Sequence, residues 1–317
     1  MDIEDVKKQV MDLPEVADWP AISDIFERHV ARPHQVWEWP LRACQAVGGD
    51  ESAVAPGSAA ILCMILSILL VDDMLDEDPR GEHLKIGDAM AANLSFGFQS
   101  IAFRVIANAP VDAARRAAVM DALAQMALTM AYGQDLDARN LTGEENYWKV
   151  THAKSASYFG TAMHIGGILG KAKKKTIESL RRLGSITGDA IQIHDDIQDA
   201  LDTPANPDWK QGRNNLLFLY ALTADHPDRE RFREIRTQVD DPAVLKSAQQ
   251  ILIRSGAVSY AMYRLYQSHQ EARKILDETP FDDPAPLRSV IDQYIVPLVH
   301  LLQNLEIPVP PEITAVA

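Results

Sequence analysis

Six carboxylates stand in two copies of one spacing, Asp72-Asp73-Met74-Leu75-Asp76 and Asp195-Asp196-Ile197-Gln198-Asp199, on a chain of 317 residues. Both read D-D-x-x-D. On a helix, residues four apart share a face, so Asp72 projects with Asp76 and Asp195 with Asp199. Two such helices facing each other concentrate negative charge around one cavity, an arrangement that is costly unless cations fill it. Ligands that are all oxygen favour Mg²⁺, which takes a few carboxylates and leaves places for water and substrate phosphate. The spacing therefore predicts a Mg²⁺–phosphate site. Asp72, Asp73, Asp76, Asp195 and Asp199 are its candidate metal ligands, and Asp196 belongs to the same catalytic group.

One acidic pentapeptide alone reads as a solvated face or a helix end. The duplication changes that reading, and so do the apolar runs before each cluster, Ala59 to Val71 and Ala190-Ile191-Gln192-Ile193. They place the acids at the mouth of an apolar pocket. Helical patterning dominates the rest: Val111 to Tyr132, Thr176 to Leu201, Ala243 to Ile275 and Pro286 to Leu302,. Breakers separate these segments at Gly48-Gly49-Asp50, Asp78-Pro79-Arg80-Gly81, Thr203 to Asp208 and Pro280 to Pro286,. Alternating strand patterns are scarce. The expectation is an all-α fold, one domain over 1–317, with about ten or more helices around a central cavity.

Composition narrows the partners. The net charge of −14, from 45 acidic and 31 basic side chains, argues against nucleic acid and anionic membrane. Lys171-Ala172-Lys173-Lys174-Lys175 reads as a solvated loop or helix start. Cys44 and Cys63 are too few for a disulfide framework. The acidic start, Met1-Asp2-Ile3-Glu4-Asp5, does not resemble a signal peptide. The run Ala59 to Val71 is too short to span a bilayer. The expectation is a soluble cytoplasmic protein, not an integral membrane protein.

The order of motifs resembles the trans-isoprenyl diphosphate synthase, or polyprenyl synthetase, family from about Arg32 to Val299. Leu69 to Asp76 and Gly188 to Asp199 are similar to its two Asp-rich motifs. Between them, Gly133-Gln134-Asp135-Leu136-Asp137 and Lys154-Ser155-Ala156 match its GQ-x-LD and Lys-Thr/Ser elements. The resemblance implies an isoprenoid synthase-type helical bundle, an allylic prenyl diphosphate as substrate, three Mg²⁺ ions per site and a homodimer. It makes Lys154 a diphosphate contact, with Ser155 and Gln134 beside it. Gln192 matches a Phe-Gln element in which Ile191 replaces the aromatic. Asp208-Trp209-Lys210-Gln211-Gly212-Arg213 is similar to a D-x-x-x-G-K element ending in arginine, which also binds phosphate; Lys210 and Arg213 join the substrate-binding candidates. Ser67 and Ile68 fall where the family builds the floor of its prenyl tunnel. Neither is aromatic, which implies room for about three or four isoprene units or more.

The pattern weakens where the family binds isopentenyl diphosphate. Arg32-Pro33-His34 stands in place of its Gly-Lys-Arg segment, Ile65 in place of a histidine, and Pro79-Arg80-Gly81 in place of a double arginine. The first reading is head-to-tail prenyl transfer to isopentenyl diphosphate, with Arg32, His34 and Arg80 as acceptor contacts. The alternative is a class I terpene cyclase on the same scaffold, forming a cyclic hydrocarbon or alcohol from one prenyl diphosphate. A non-catalytic regulatory subunit is the third reading, and two complete Asp motifs argue against it.

Overall fold

Helix starts follow local chemistry. Asp2, Asp50, Asp112, Asn215 and Asp241 each accept a hydrogen bond from a backbone N–H in the first turn that follows them,. The computed structural model describes residues 1–30 and 36–304, and among these every regular element is helical. The first half runs α1 (Ile3–Met11), α2 (Pro20–Val30), α3 (Glu38–Ala46), α4 (Glu51–Leu75), α5 (His83–Ile86), α6 (Asp88–Asn108) and α7 (Ala113–Ala138). Then come α8 (Glu144–Thr151), a π turn (His152–Ala156), α9 (Ser157–Leu169), α10 (Lys174–Leu201) and α11 (Asp208–Gln211). The chain closes with α12 (Leu216–Thr223), α13 (Arg229–Ile235), α14 (Pro242–Arg254), α15 (Ala257–Glu278) and α16 (Ala285–Asn304).

Two expectations change. The segment Ala243 to Ile275 is two helices, because Gly256 adopts a left-handed conformation (φ 86°) that ends α14 and starts α15,. The apolar run before the first motif also extends in both directions into a 25-residue helix. By length and composition α4 could cross a bilayer, but 78% of its most apolar stretch is buried inside the protein. It is a core helix, packed chiefly on α6.

Among the described residues two apolar clusters make up the interior, and α10 joins them. Leu180, Leu183, Ile186 and Ile191 pack into the larger cluster with α4, α6 and α9. Ile193, Ile197 and Ala200 pack into the smaller one with α12, α14 and α15. The helix that carries the second Asp motif is thereby held on both sides. Cys44 and Cys63 are buried free thiols.

The approach of α10 to the π turn depends on a missing side chain. A Cβ at Gly188 would lie 2.7 Å from the Ser155 carbonyl oxygen, so backbone would have to move. Gly188→Ala is expected to cost about 1–3 kcal/mol of stability, read from chemical denaturation, and to lower activity by displacing Lys154. A variant as stable and active as the parent would show that the two backbones have room to part.

Candidate active site

The first motif sits at the C-terminal end of α4, and three other segments converge on it. Gln134 of α7 donates its Nε2 to Asp72 Oδ1 at 2.6 Å. Lys154, on the π turn, donates to the same oxygen at 3.0 Å and to Asp137 Oδ2 at 2.6 Å. Arg213, which follows α11, donates to Asp76 and lies 4.0 Å from Asp137. Carboxylate oxygens of Asp72, Asp76 and Asp137 all lie within 4.8 Å of one another. Three hard oxygen donors at that spacing suit a Mg²⁺ ion. Burial opposes the charge on Lys154, but Asp72 and Asp137 outweigh it and hold the ammonium above its ordinary pKa. Asp76 moves up, through burial and then repulsion from Asp72, against the pull of Arg213. The π turn adds a residue to the helical repeat where Lys154 projects, a device often found at functional sites,.

The middle aspartate of each motif does different work. Successive helical residues are rotated by about 100°, so Asp73 and Asp196 leave the face of their neighbours. Asp73 Oδ2 accepts the Glu82 backbone N–H at 3.1 Å and ties down the loop after α4. Asp196 is 4% exposed. Its Oδ2 accepts the Leu216 N–H at 2.7 Å and its Oδ1 accepts from Gln192 at 3.1 Å, while Asn215 donates to its carbonyl. Burial pushes its carboxyl up to about 7. Of the six motif carboxylates, Asp72 and Asp76 stand with Asp137 in the acid cluster, while Asp73 and Asp196 each commit an oxygen to a backbone N–H.

Asp195 is half exposed and lies 3.2 Å from His194, whose ring also meets Gln198 and Tyr294. Asp199 accepts from Asn206 at 2.6 Å. Burial, then repulsion from Asp208 and Asp195, raises its carboxyl to about 7. Asp208 is itself raised by burial and lies in the fields of Arg213, Asp137 and Arg80. The ends of the two motifs therefore share one electrostatic environment through Asp137 and Asp208. The D-D-x-x-D spacing points to neither residue, although Asp137 ends the GQ-x-LD element and Asp208 begins the D-x-x-x-G-R element.

Ser155 Oγ donates to Gln192 Oε1 at 3.1 Å, linking the π turn to the second motif. Lys210 turns to Asp240 and stands apart from this network. Arg80 is exposed and pairs with Asp78. Arg32 and His34 lie outside the described residues. A cavity of about 510 Å³ runs between α4, α6 and α7, lined by Met64, Ser67, Ile68, Val71, Phe96 and Ala131 among others. Gln134 lines it too while its amide holds Asp72, so the cavity begins at the acids. The Ser67 hydroxyl is engaged with Ser95 Oγ at 3.1 Å. A larger polar groove of about 670 Å³, between α7, α9 and α10, is lined by Asp189 but by none of the six D-D-x-x-D carboxylates.

Known proteins share this arrangement of elements. A sequence model described as Polyprenyl synthetase matches residues 40–252. The nonaprenyl diphosphate synthase of Mycobacterium tuberculosis is 30% identical over 73% of this chain and 72% of its own length. The octaprenyl diphosphate synthase of Escherichia coli is 24% identical over 75% and 78%. The crystal structure of the geranylgeranyl pyrophosphate synthetase from Pyrococcus horikoshii superposes with a TM-score of 0.81 at 22% identity, covering 91% of this chain and 93% of that one. On the family match, the M. tuberculosis relative and the ordered motifs, the chain belongs to the polyprenyl synthetase family.

Proposed function

We propose that this protein is a Mg²⁺-dependent prenyltransferase of isoprenoid biosynthesis that joins an allylic prenyl diphosphate head to tail to isopentenyl diphosphate. The observation that carries this reading is the meeting of the acid cluster, Lys154 and Arg213 at the mouth of an apolar cavity. In the reaction the bond between C1 and oxygen of the allylic substrate breaks and diphosphate leaves. The acceptor's double bond then forms the new carbon–carbon bond to C1, and a proton is lost from the acceptor. Lys154 and Arg213, which donate to the acids of the cluster, would also stand ready to donate to the departing phosphate oxygens,. Asp72, Asp76 and Asp137 would hold metal on one side, and Asp195 and Asp199 on the other, with three ions per site. Mg²⁺ bound there supplies compensation for the charge developing on the leaving diphosphate. The apolar cavity takes the chain and keeps water from the cation.

The test is incubation with Mg²⁺ and C10, C15 and C20 allylic diphosphates, with and without isopentenyl diphosphate, and product identification before and after phosphatase. Elongated diphosphates that require isopentenyl diphosphate are expected. A diphosphate-free cyclic product, formed at the same rate without it, would establish a cyclase instead.

The working unit in this reading is a soluble cytoplasmic homodimer of one domain per chain. Support for pairing comes from α6 and α7, which expose the large apolar side chains Phe96 (70%), Leu128 (75%) and Tyr132 (59%), surface that pairing would cover. Phe96 also lines the prenyl cavity. Leu128→Asp is expected to shift the light-scattering mass from two chains to one at micromolar concentration. A parent protein that already runs as one chain would remove the dimer from this reading.

A further inference from the structure

Lys154 projects from a turn that an α-helical repeat would not produce. The π turn follows α8 and leads into α9 without a break, and it carries one residue more than an α-helix between the same ends. If it slid into α-helical pairing, Lys154 would rotate by about 100° off the face that meets Asp72 and Asp137. The register therefore needs holding from outside the turn. On one side the turn lies against α7, where a Cβ at Gly133 would come 2.9 Å from Ala153 Cβ and from Lys154 Cγ. On the other side it meets α10 at three points. The Ser155 carbonyl packs on Gly188, Ser155 Oγ donates to Gln192, and His152 Nε2 lies 3.4 Å from Asp189 Oδ2. The third pair has no part in the chemistry described above.

That pair does not serve the core. His152 and Asp189 both line the polar groove between α7, α9 and α10, so replacing either opens no packed interior. His152 is exposed, and an ion pair this open adds little to global stability. Its effect is local. Asp189 is partly buried, and among the described residues its Oδ1 has no hydrogen-bond partner and His152 is its only ion-pair partner. The carboxylate in turn holds the imidazole above its ordinary pKa, against burial and the charge of Arg264. Trp148, one turn earlier, backs the ring at 5.9 Å with a tilt of 32°. Its indole N–H donates to Glu144 at 2.9 Å, and the Arg264 guanidinium covers it at 4.3 Å. A cation is thus held at the first residue of the π turn, opposite a carboxylate on α10 and two residues from Lys154.

We propose that His152 and Asp189 are positioning residues that hold the π turn in register and so set Lys154 against the acid cluster; the assignment rests on the transfer reading above only in taking Lys154 as a diphosphate contact. The test measures release of inorganic diphosphate from an allylic diphosphate in Mg²⁺, with and without isopentenyl diphosphate. His152→Ala and Asp189→Asn are each expected to lower kcat about fivefold or more, and His152→Lys, which keeps the cation, to return to within about twofold of the parent. In a Lys154→Gln background His152→Ala should change the rate by less than about twofold, because the two act as one unit. An unchanged kcat in His152→Ala, no recovery in His152→Lys, or the full loss repeated in the Lys154→Gln background would each overturn the assignment. Diphosphate release reads a cyclase as well as a transferase. If the parent turns over no allylic substrate under either condition, the transfer reading fails, and hydrogen exchange of the amides of residues 152–156 tests the register by itself. Faster exchange in His152→Ala that His152→Lys restores would uphold the assignment, and unchanged exchange would sink it.

Discussion

Asp72→Ala is expected to lower turnover by about a thousandfold or more at saturating substrate and ordinary Mg²⁺, because stabilisation of developing charge is the largest catalytic contribution in such a site. Asp72 is the hub of the cluster. One of its oxygens takes both Gln134 and Lys154, and it stands with Asp76 and Asp137 in the acid cluster proposed to hold metal. Its loss removes a proposed ligand and leaves Lys154 with Asp137 alone. The fold should not suffer in proportion, since the substitution relieves repulsion with Asp76. The thermal midpoint without metal is therefore expected to hold or rise while kcat collapses. Asp73→Asn provides the contrast: the amide oxygen still accepts the Glu82 N–H, so the loss should be about tenfold or less. Equal losses in the two variants would mean that the rotation of Asp73 out of the cluster has no consequence for catalysis.

Asp137→Asn is the second large effect, and it tests a residue that the motif spacing alone did not single out. The amide keeps the shape and accepts one hydrogen bond from Lys154, but it removes a charge from the acid cluster proposed to hold metal. The Mg²⁺ concentration for half-maximal activity is expected to rise about tenfold, with turnover at saturating Mg²⁺ reduced about a hundredfold. Measured across a Mg²⁺ series, a normal metal requirement together with a normal rate would show that Asp137 only buttresses Lys154. Chelation should abolish turnover in the parent at any substrate concentration and restore it on adding Mg²⁺.

Periodicity made much of this legible. A four-residue interval between acids on a helix is enough to pair Asp72 with Asp76 and Asp195 with Asp199, and the preceding apolar runs place both pairs at the edge of a core. The same periodicity implies that Asp73 and Asp196 point elsewhere. What they point at is a matter of neighbours: the Glu82 N–H in one case and the start of α12 in the other. Asp137 and Asp208 were visible as parts of motifs but had no stated partner. The cluster around them forms where α7, the π turn and the segment after α11 reach α4 across 62 to 137 residues of chain. Lys210 and Arg213 show the limit most plainly. Three residues apart in one motif, they diverge because Gly212 takes a left-handed turn (φ 67°) between them, sending Arg213 to Asp76 and leaving Lys210 on Asp240.

The sequence by itself determined the helical class, the chemistry of the ligands and the family, since each depends on residue type and on spacing within a single helix. Only the tertiary structure decided which acids share a cluster, which cations meet them and where the apolar cavity lies. Those depend on how separate helices pack, and helix packing is set by the summed shape of the two apolar clusters on either side of α10 rather than by any local run of residues,.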